Sequence, residues 1–161
     1  METGVIYNED CMETMARMED DYIDLILTDP PYGTGKASGT KGKSRAEKTK
    51  YTKKKYNTEK YVIKKIIPAI KECLRVSKRL IVTPGVRHLT KYPQPDSFGC
   101  IYQPATCGMQ KWGRADSQPI FYYGRDPRLG KTISRCSIQC TERPAEVDHP
   151  CPKPTKLWSE L

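Results

Sequence analysis

The chain has 161 residues and a formal net charge of +9, and 37% of its residues are hydrophobic. This length predicts one domain or a piece of a larger one, and the low apolar content predicts a modest core. The sequence has no apolar run long enough for a membrane helix and no signal-peptide pattern. Its seven cysteines do not have the spacing of a disulfide framework. We therefore expect a cytoplasmic protein that does not bind membranes.

The first thirty residues predict a strand, a helix and a second strand. Residues 4–7 read as a brief strand, residues 12–18 as a short amphipathic helix, and residues 23–28 as a short buried strand. A unit of this kind implies a parallel pair of strands. Asp10, just before the helix, is placed to cap its N-terminus.

The second predicted strand ends at Asp29-Pro30-Pro31-Tyr32-Gly33. Two consecutive prolines lack backbone N–H groups and cannot continue a strand, so the chain must turn there and display Asp29, Tyr32 and the Pro30 carbonyl. Ligands bind at this edge of open α/β sheets. A carboxylate, a carbonyl and an aromatic ring suit a flat, amine-bearing ring. A proline turn that only closes a core strand is the alternative.

The positive charge is concentrated in the next segment. Residues 36–60 hold ten Lys or Arg and two Glu, which leaves 18 basic and 17 acidic residues elsewhere. Such a segment suits a phosphate polymer, although a solvated loop without a partner is the alternative. We expect a mobile basic loop over 34–58 that orders on nucleic acid. Its phosphate contacts are expected from Lys41, Lys43, Arg45, Lys53, Lys54 and Lys55.

The remaining chain predicts one helix and two strands. Apolar spacing indicates a helix over 59–77 that Pro68 kinks or splits, followed by a strand over 78–83. Residues 119–124 form a further predicted strand, and the rest of the 86–140 region is expected to be irregular.

Two motifs resemble those of one enzyme family. The segment 28–33 resembles the catalytic motif of the DNA amino-methyltransferases, which methylate N6 of adenine or N4 of cytosine from S-adenosylmethionine. His149-Pro150-Cys151-Pro152-Lys153-Pro154 resembles the family's His-Pro-x-x-Lys-Pro motif beside the methionine part of that cofactor. The resemblance implies catalytic roles for Asp29, Pro30, Pro31 and Tyr32, and cofactor contacts by Asp10 and Lys153.

The resemblance also implies an architecture. It covers nearly all of residues 1–161 and implies a single α/β methyltransferase domain with a Rossmann-like sheet. The order of the motifs implies a circular permutation in which the catalytic half comes first, with a possible target-recognition region in 86–140. The family's Asp-Pro-Phe-x-Gly-x-Gly cofactor loop has no match in the sequence. We therefore expect a sheet that is incomplete at its C-terminus, in a truncated or split copy.

Several interpretations stay open beside this one. In the family that the motif resembles, an Asp at the place of Asp29 is used mostly for adenine, and related glutamine enzymes have Asn there. The resemblance therefore implies adenine rather than cytosine or a protein glutamine, but no residue argues against RNA. The missing cofactor loop makes an inactive remnant or a basic nucleic-acid-binding fragment an alternative. A zinc module is a further alternative, which the spacing disfavours relative to buried thiols. Its ligands would be Cys100, Cys107, Cys136, Cys140, His149 and Cys151.

Overall fold

The described part of the chain is a mixed α/β fold built on a five-stranded sheet. The computed structural model describes residues 4–34, 56–103, 108–110, 112–130, 135–140 and 158. The helices are α1 (Cys11–Ala16), α2 (Glu59–Tyr61), a π-helical segment (Val62–Ile66), α3 (Ile67–Val76) and a 3-10 turn (Leu89–Lys91). The strands are β1 (Ile26–Thr28), β2 (Leu80–Val82), β3 (Ser97–Tyr102), β4 (Gly108–Gln110), β5 (Gly113–Ala115), β6 (Ser117–Tyr123) and β7 (Ile138–Gln139).

The five-stranded sheet has the order β1-β2-β6-β3-β7, and β4 pairs with β5 in a separate two-stranded sheet. β1 and β2 are parallel, with Ile26 opposite Leu80 and Thr28 opposite Val82, because helices lie between them in the chain. β6 runs antiparallel to both of its neighbours, and β7 runs parallel to β3. The predicted α/β class is confirmed.

The predicted N-terminal strand is wrong. Residues 5–8 have no regular structure, and the Ile6 side chain is 95% exposed. A strand needs a neighbour for its backbone N–H and C=O groups, and the five-stranded sheet ends at β1. The parallel pair therefore forms between β1 and β2, and residues 4–7 take no part in it.

The strand that leads to Asp29 is shorter and less buried than predicted. Only Ile26–Thr28 are strand, and Ile23 adds an isolated parallel bridge to Ser77. Leu25 and Leu27 are exposed, and they alternate with Ile26, which packs against the cluster at the helical segment, so they lie on the other face of the sheet.

The helical segment before β2 confirms the predicted effect of Pro68. This proline stands in the first turn of α3, where its missing N–H costs no hydrogen bond. The break appears as the π-helical turns of Val62–Ile66 immediately before α3. Thr58 caps the start of α2 through its hydroxyl oxygen, which accepts from the Tyr61 N–H at 3.2 Å.

The core lies on both faces of the sheet. One face packs against the helical segment, and the other carries a smaller isoleucine-rich cluster. β2 is buried along its whole length because it lies between β1 and β6. The first cluster consists of Val62, Ile67, Ile70, Leu80, Val82, Tyr92, Phe121 and Tyr123. The second consists of Ile81, Ile101, Ile120, Ile138 and Cys140.

The 86–140 region is richer in strands than predicted, so the irregular interpretation is wrong for β3, β4, β5 and β7, whereas β6 confirms the strand predicted over 119–124. Pro119 hid the length of β6, because proline normally interrupts a strand. Here it stands opposite Cys100, whose N–H donates to the Ser137 hydroxyl oxygen at 3.2 Å on the other side of β3. The missing proline N–H therefore costs no bond to β3. A role of this region in target recognition stays a prediction.

None of the helices in the described ranges combines the length and apolar composition that crossing a bilayer requires.

Candidate functional site

The site is built at the carboxyl ends of the parallel strands β1 and β2. Asp29 directly follows β1, and Thr83 directly follows β2. The parallel pairing brings these residues to one edge of the sheet, where the Thr83 N–H donates to the Thr28 carbonyl at 3.2 Å. The Thr83 hydroxyl donates to Asp29 Oδ1 at 2.5 Å. Thr83 is completely buried, so this bond anchors the carboxylate to the core.

Tyr32 closes the arrangement from the other side. Its hydroxyl donates to Asp29 Oδ1 at 2.5 Å and accepts a hydrogen bond from Nε2 of Gln118, which lies on β6. Asp29, Tyr32, Thr83 and Gln118 therefore form one hydrogen-bonded group, the carboxylate network. Burial raises the pKa of Tyr32, and the negative charge of Asp29 raises it further, so the hydroxyl stays protonated and keeps donating.

Two glycines allow the chain to pack closely around this network. Gly33 and Gly85 have φ angles of 65° and 67°, in the left-handed region that glycine tolerates best. A Cβ atom on Gly85 would lie 2.7 Å from Cγ of the Tyr32 ring, and one on Gly33 would lie 2.7 Å from Nε2 of His88. The turns after β1 and β2 are thus fitted to each other through positions that lack side chains.

We predict that Gly85→Ala destabilises the fold more than Gly130→Ala does. Alanine in the left-handed region costs about 1–2 kcal/mol at either position. Gly130 has a φ of 84° and no atom within 4 Å of its added Cβ, whereas Gly85 also meets Tyr32. Chemical denaturation of the two variants measures the difference. Equal losses in the free energy of unfolding would show that the Tyr32 ring yields without cost.

The structure brings together the predicted catalytic residues. Pro30 is buried and Pro31 exposed, while Asp29 is exposed and Tyr32 half-buried beside it. Asp10 is the N-cap of α1, where its Oδ1 accepts from the Met12 N–H at 3.0 Å. This bond matches its capping interpretation, and a cofactor contact by Asp10 stays a prediction.

The ends of the predicted basic loop lie next to the candidate site. The Thr34 N–H donates to Asn57 Oδ1 at 3.1 Å, and Asn57 Nδ2 donates to the Thr34 hydroxyl oxygen at 2.8 Å. The basic segment therefore leaves and re-enters the described fold beside Gly33. Its six predicted phosphate-binding residues lie outside the described residues, as does Lys153. They are Lys41, Lys43, Arg45, Lys53, Lys54 and Lys55.

Sequence reasoning missed four residues of the site. Thr83-Pro84-Gly85 follows an apolar strand just as the 29–33 segment does, and this repeated pattern could have identified Thr83 and Gly85. Gln118 is 86 positions from Tyr32 and gives no local signal. His88 is also buried here, and its Nε2 has no hydrogen-bond partner among the described residues.

The described residues include no group of three or more His, Cys, Asp or Glu side chains that could hold a metal ion. Three of the six residues considered for a zinc module lie outside the described ranges, namely Cys107, His149 and Cys151.

Comparison of the sequence with protein-family models finds no matching family, and comparison with curated proteins finds no relative.

Proposed function

We propose that the chain is a DNA methyltransferase that transfers a methyl group from S-adenosylmethionine to N6 of adenine. One observation carries this proposal: the Asp29 carboxylate stands at the carboxyl end of a parallel strand pair, is followed in the chain by Pro30, and accepts a hydrogen bond from the Tyr32 hydroxyl. The motif that these residues form resembles that of the amino-methyltransferases. The α/β sheet, with parallel β1 and β2 followed by antiparallel strands, is compatible with a permuted Rossmann-like methyltransferase sheet.

The chemistry follows from the two acceptors. The exocyclic amine of adenine is a poor nucleophile because its lone pair is delocalised into the ring. The Asp29 carboxylate and the Pro30 carbonyl would accept hydrogen bonds from the two N–H groups of this amine. These hydrogen bonds would localise the lone pair and orient it for attack on a methyl group. The base must leave the duplex to reach these atoms, which costs a few kcal/mol.

The carboxylate network fits a site that changes when the base enters. Asp29 Oδ1 accepts hydrogen bonds from the hydroxyls of Tyr32 and Thr83. An incoming amine takes the place of the Tyr32 hydroxyl, and the released ring then rests on the face of the base. Thr83 holds the carboxylate throughout, since its own position is fixed in the core.

The described residues support a cofactor-binding site less well than they support a site for the base. The Asp10 carboxylate is engaged as a helix cap, Lys153 lies outside the described ranges, and the sequence lacks the family's glycine loop. The described residues therefore do not by themselves fit S-adenosylmethionine. The proposed cofactor rests on the resemblance of the motifs, and the mechanism above uses only the residues that face the base.

The test is transfer of labelled methyl from S-adenosylmethionine to duplex DNA of mixed sequence, with digestion to nucleosides. We expect the label in N6-methyladenine. Label in N4-methylcytosine would correct the base, and label only in a matched RNA duplex would correct the polymer. Absence of label from DNA and RNA at a high protein concentration contradicts methyl transfer by this chain.

A basic nucleic-acid-binding protein without catalysis is the second candidate. It is favoured by the concentration of charge in one segment, whose two ends are joined at Thr34 and Asn57. It predicts DNA binding whose affinity falls steeply with salt, without transfer of the label. The two measurements together separate the candidates.

A further inference from the structure

A cavity lies at the opposite end of the sheet from Asp29. Its volume is about 220 Å³, and it is lined by Leu25 and Arg79, which immediately precede β1 and β2. Since these strands are parallel and Asp29 follows β1, the cavity and the carboxylate network lie at different ends of the same strands. We call this cavity the basic pocket. A ligand in it would not overlap with one at Asp29.

Positive charge dominates the basic pocket. Among the described residues, its lining includes four arginines, Arg79, Arg125, Arg128 and Arg135, against one carboxylate, Asp126. Arg128 pairs with Asp126 at 3.2 Å, and Arg79 donates from Nε to the Arg125 carbonyl oxygen at 3.0 Å. The structure gives the side chains of Arg125 and Arg135 no hydrogen-bond or ion-pair partner among the described residues. Within the described ranges, the fold itself therefore does not engage these two guanidinium groups.

The inner wall of the basic pocket is apolar and aromatic. Ile81 is buried and Tyr122 half-buried, whereas Arg125 and Arg135 are exposed and so border the opening. The Tyr122 hydroxyl donates to the Cys136 carbonyl at 3.0 Å, which restrains the ring. The volume is below the range of about 300–1,000 Å³ usual for drug-sized ligands, so it suits a ligand that inserts one ring and keeps its charged group at the opening.

We propose that the basic pocket binds a mononucleotide, with its phosphate held by Arg125 and Arg135 and its ring against Tyr122. A phosphate monoester carries close to two negative charges at neutral pH, which matches two guanidinium groups better than a carboxylate does. Guanidinium groups also bind phosphate oxygens in a bidentate geometry. The same chemistry is offered by a free nucleotide and by the 5′-phosphorylated end of a nucleic acid strand.

The test is calorimetric titration of the full chain with uridine 5′-monophosphate at low ionic strength. We expect it to bind at least about tenfold more tightly than inorganic phosphate or uridine, because each of these lacks one half of the recognised group. Replacing Arg125 and Arg135 together with Gln should weaken binding at least about tenfold, since two charge-assisted contacts are lost. Competition by a 5′-phosphorylated trinucleotide would identify a strand end as the source, and its failure to compete would identify a free nucleotide.

The matched control removes the same charge elsewhere. Lys64 and Lys71 are exposed on the helical segment and do not line the basic pocket, so their joint replacement with Gln should leave the affinity within about twofold. Circular dichroism confirms that each variant is folded, and Tyr122→Leu tests the ring without changing the charge. Absence of mononucleotide binding at millimolar concentration, or equal weakening in both double variants, overturns the proposal.

Discussion

Replacing Asp29 with alanine is expected to abolish methyl transfer to DNA, with a loss of at least about 10²–10³-fold in rate. Removal of a single preorganised group that stabilises a transition state has effects of this size. Asp29 is the only carboxylate of the carboxylate network, and the hydroxyls of Tyr32 and Thr83 converge on it. DNA affinity should change by less than about twofold, because binding to phosphates depends on cationic side chains.

The alanine variant also removes an acceptor from two hydroxyls, so a second substitution is needed to separate chemistry from folding. Leaving a buried donor unsatisfied costs about 1–3 kcal/mol. Asp29→Asn keeps an oxygen that can accept from the hydroxyl of Thr83, so it should fold normally, and its activity should fall because a neutral amide oxygen accepts more weakly than a carboxylate. Asp24→Ala is the matched control. Asp24 lies just before the same strand, and its exposed carboxylate pairs with Lys78 at 2.8 Å.

The three variants are compared by labelled-methyl transfer, DNA affinity and thermal unfolding. Loss of transfer in both Asp29 variants, with normal activity in Asp24→Ala, supports the assigned role. Full activity in Asp29→Ala would show that this carboxylate takes no part in the reaction, and full activity in Asp29→Asn would show that its negative charge is not needed. Loss of folding in Asp29→Ala leaves the Asn variant as the decisive comparison.

The turn that displays Asp29 could be predicted from the sequence, because the covalent structure of neighbouring residues requires it. Pro30 and Pro31 cannot continue a strand, so the turn after Asp29 followed from covalent structure. The same reasoning predicted the break at Pro68, which the structure places in the first turn of α3. Local constraints of this kind do not depend on what the rest of the chain does.

The parts that sequence reasoning missed depend on contacts between distant segments. Residues 4–7 have strand-like composition, but composition does not supply the neighbour with which a strand must pair. Pro119 masked only the first two residues of β6, because its harmless position opposite Cys100 is known only from the register. The place of Gln118 in the carboxylate network also depends on long-range pairing, because β6 pairs with strands that are distant in the sequence.

Among single substitutions, we expect Leu80→Ala to cause the largest loss of stability. Leu80 is completely buried at the start of β2, within the cluster that joins the sheet to the helical segment. Replacing a buried leucine with alanine removes transfer free energy and leaves a cavity, which together cost about 2–5 kcal/mol. Domains of this size have a total stability of about 5–15 kcal/mol, so the variant should be partly unfolded at moderate denaturant concentrations.

Leu27→Ala is the matched control, because it makes the same chemical change on the neighbouring strand β1. The Leu27 side chain is 38% exposed, so its truncation should cost under about 1 kcal/mol. Urea unfolding followed by circular dichroism gives the midpoint and slope for each variant and the parent. A large fall in the urea midpoint for Leu80→Ala, without such a fall for Leu27→Ala, would place the core between β2 and the helical segment. Equal falls would mean that the exposed face of β1 is covered in solution, so that the core extends past the edge strand.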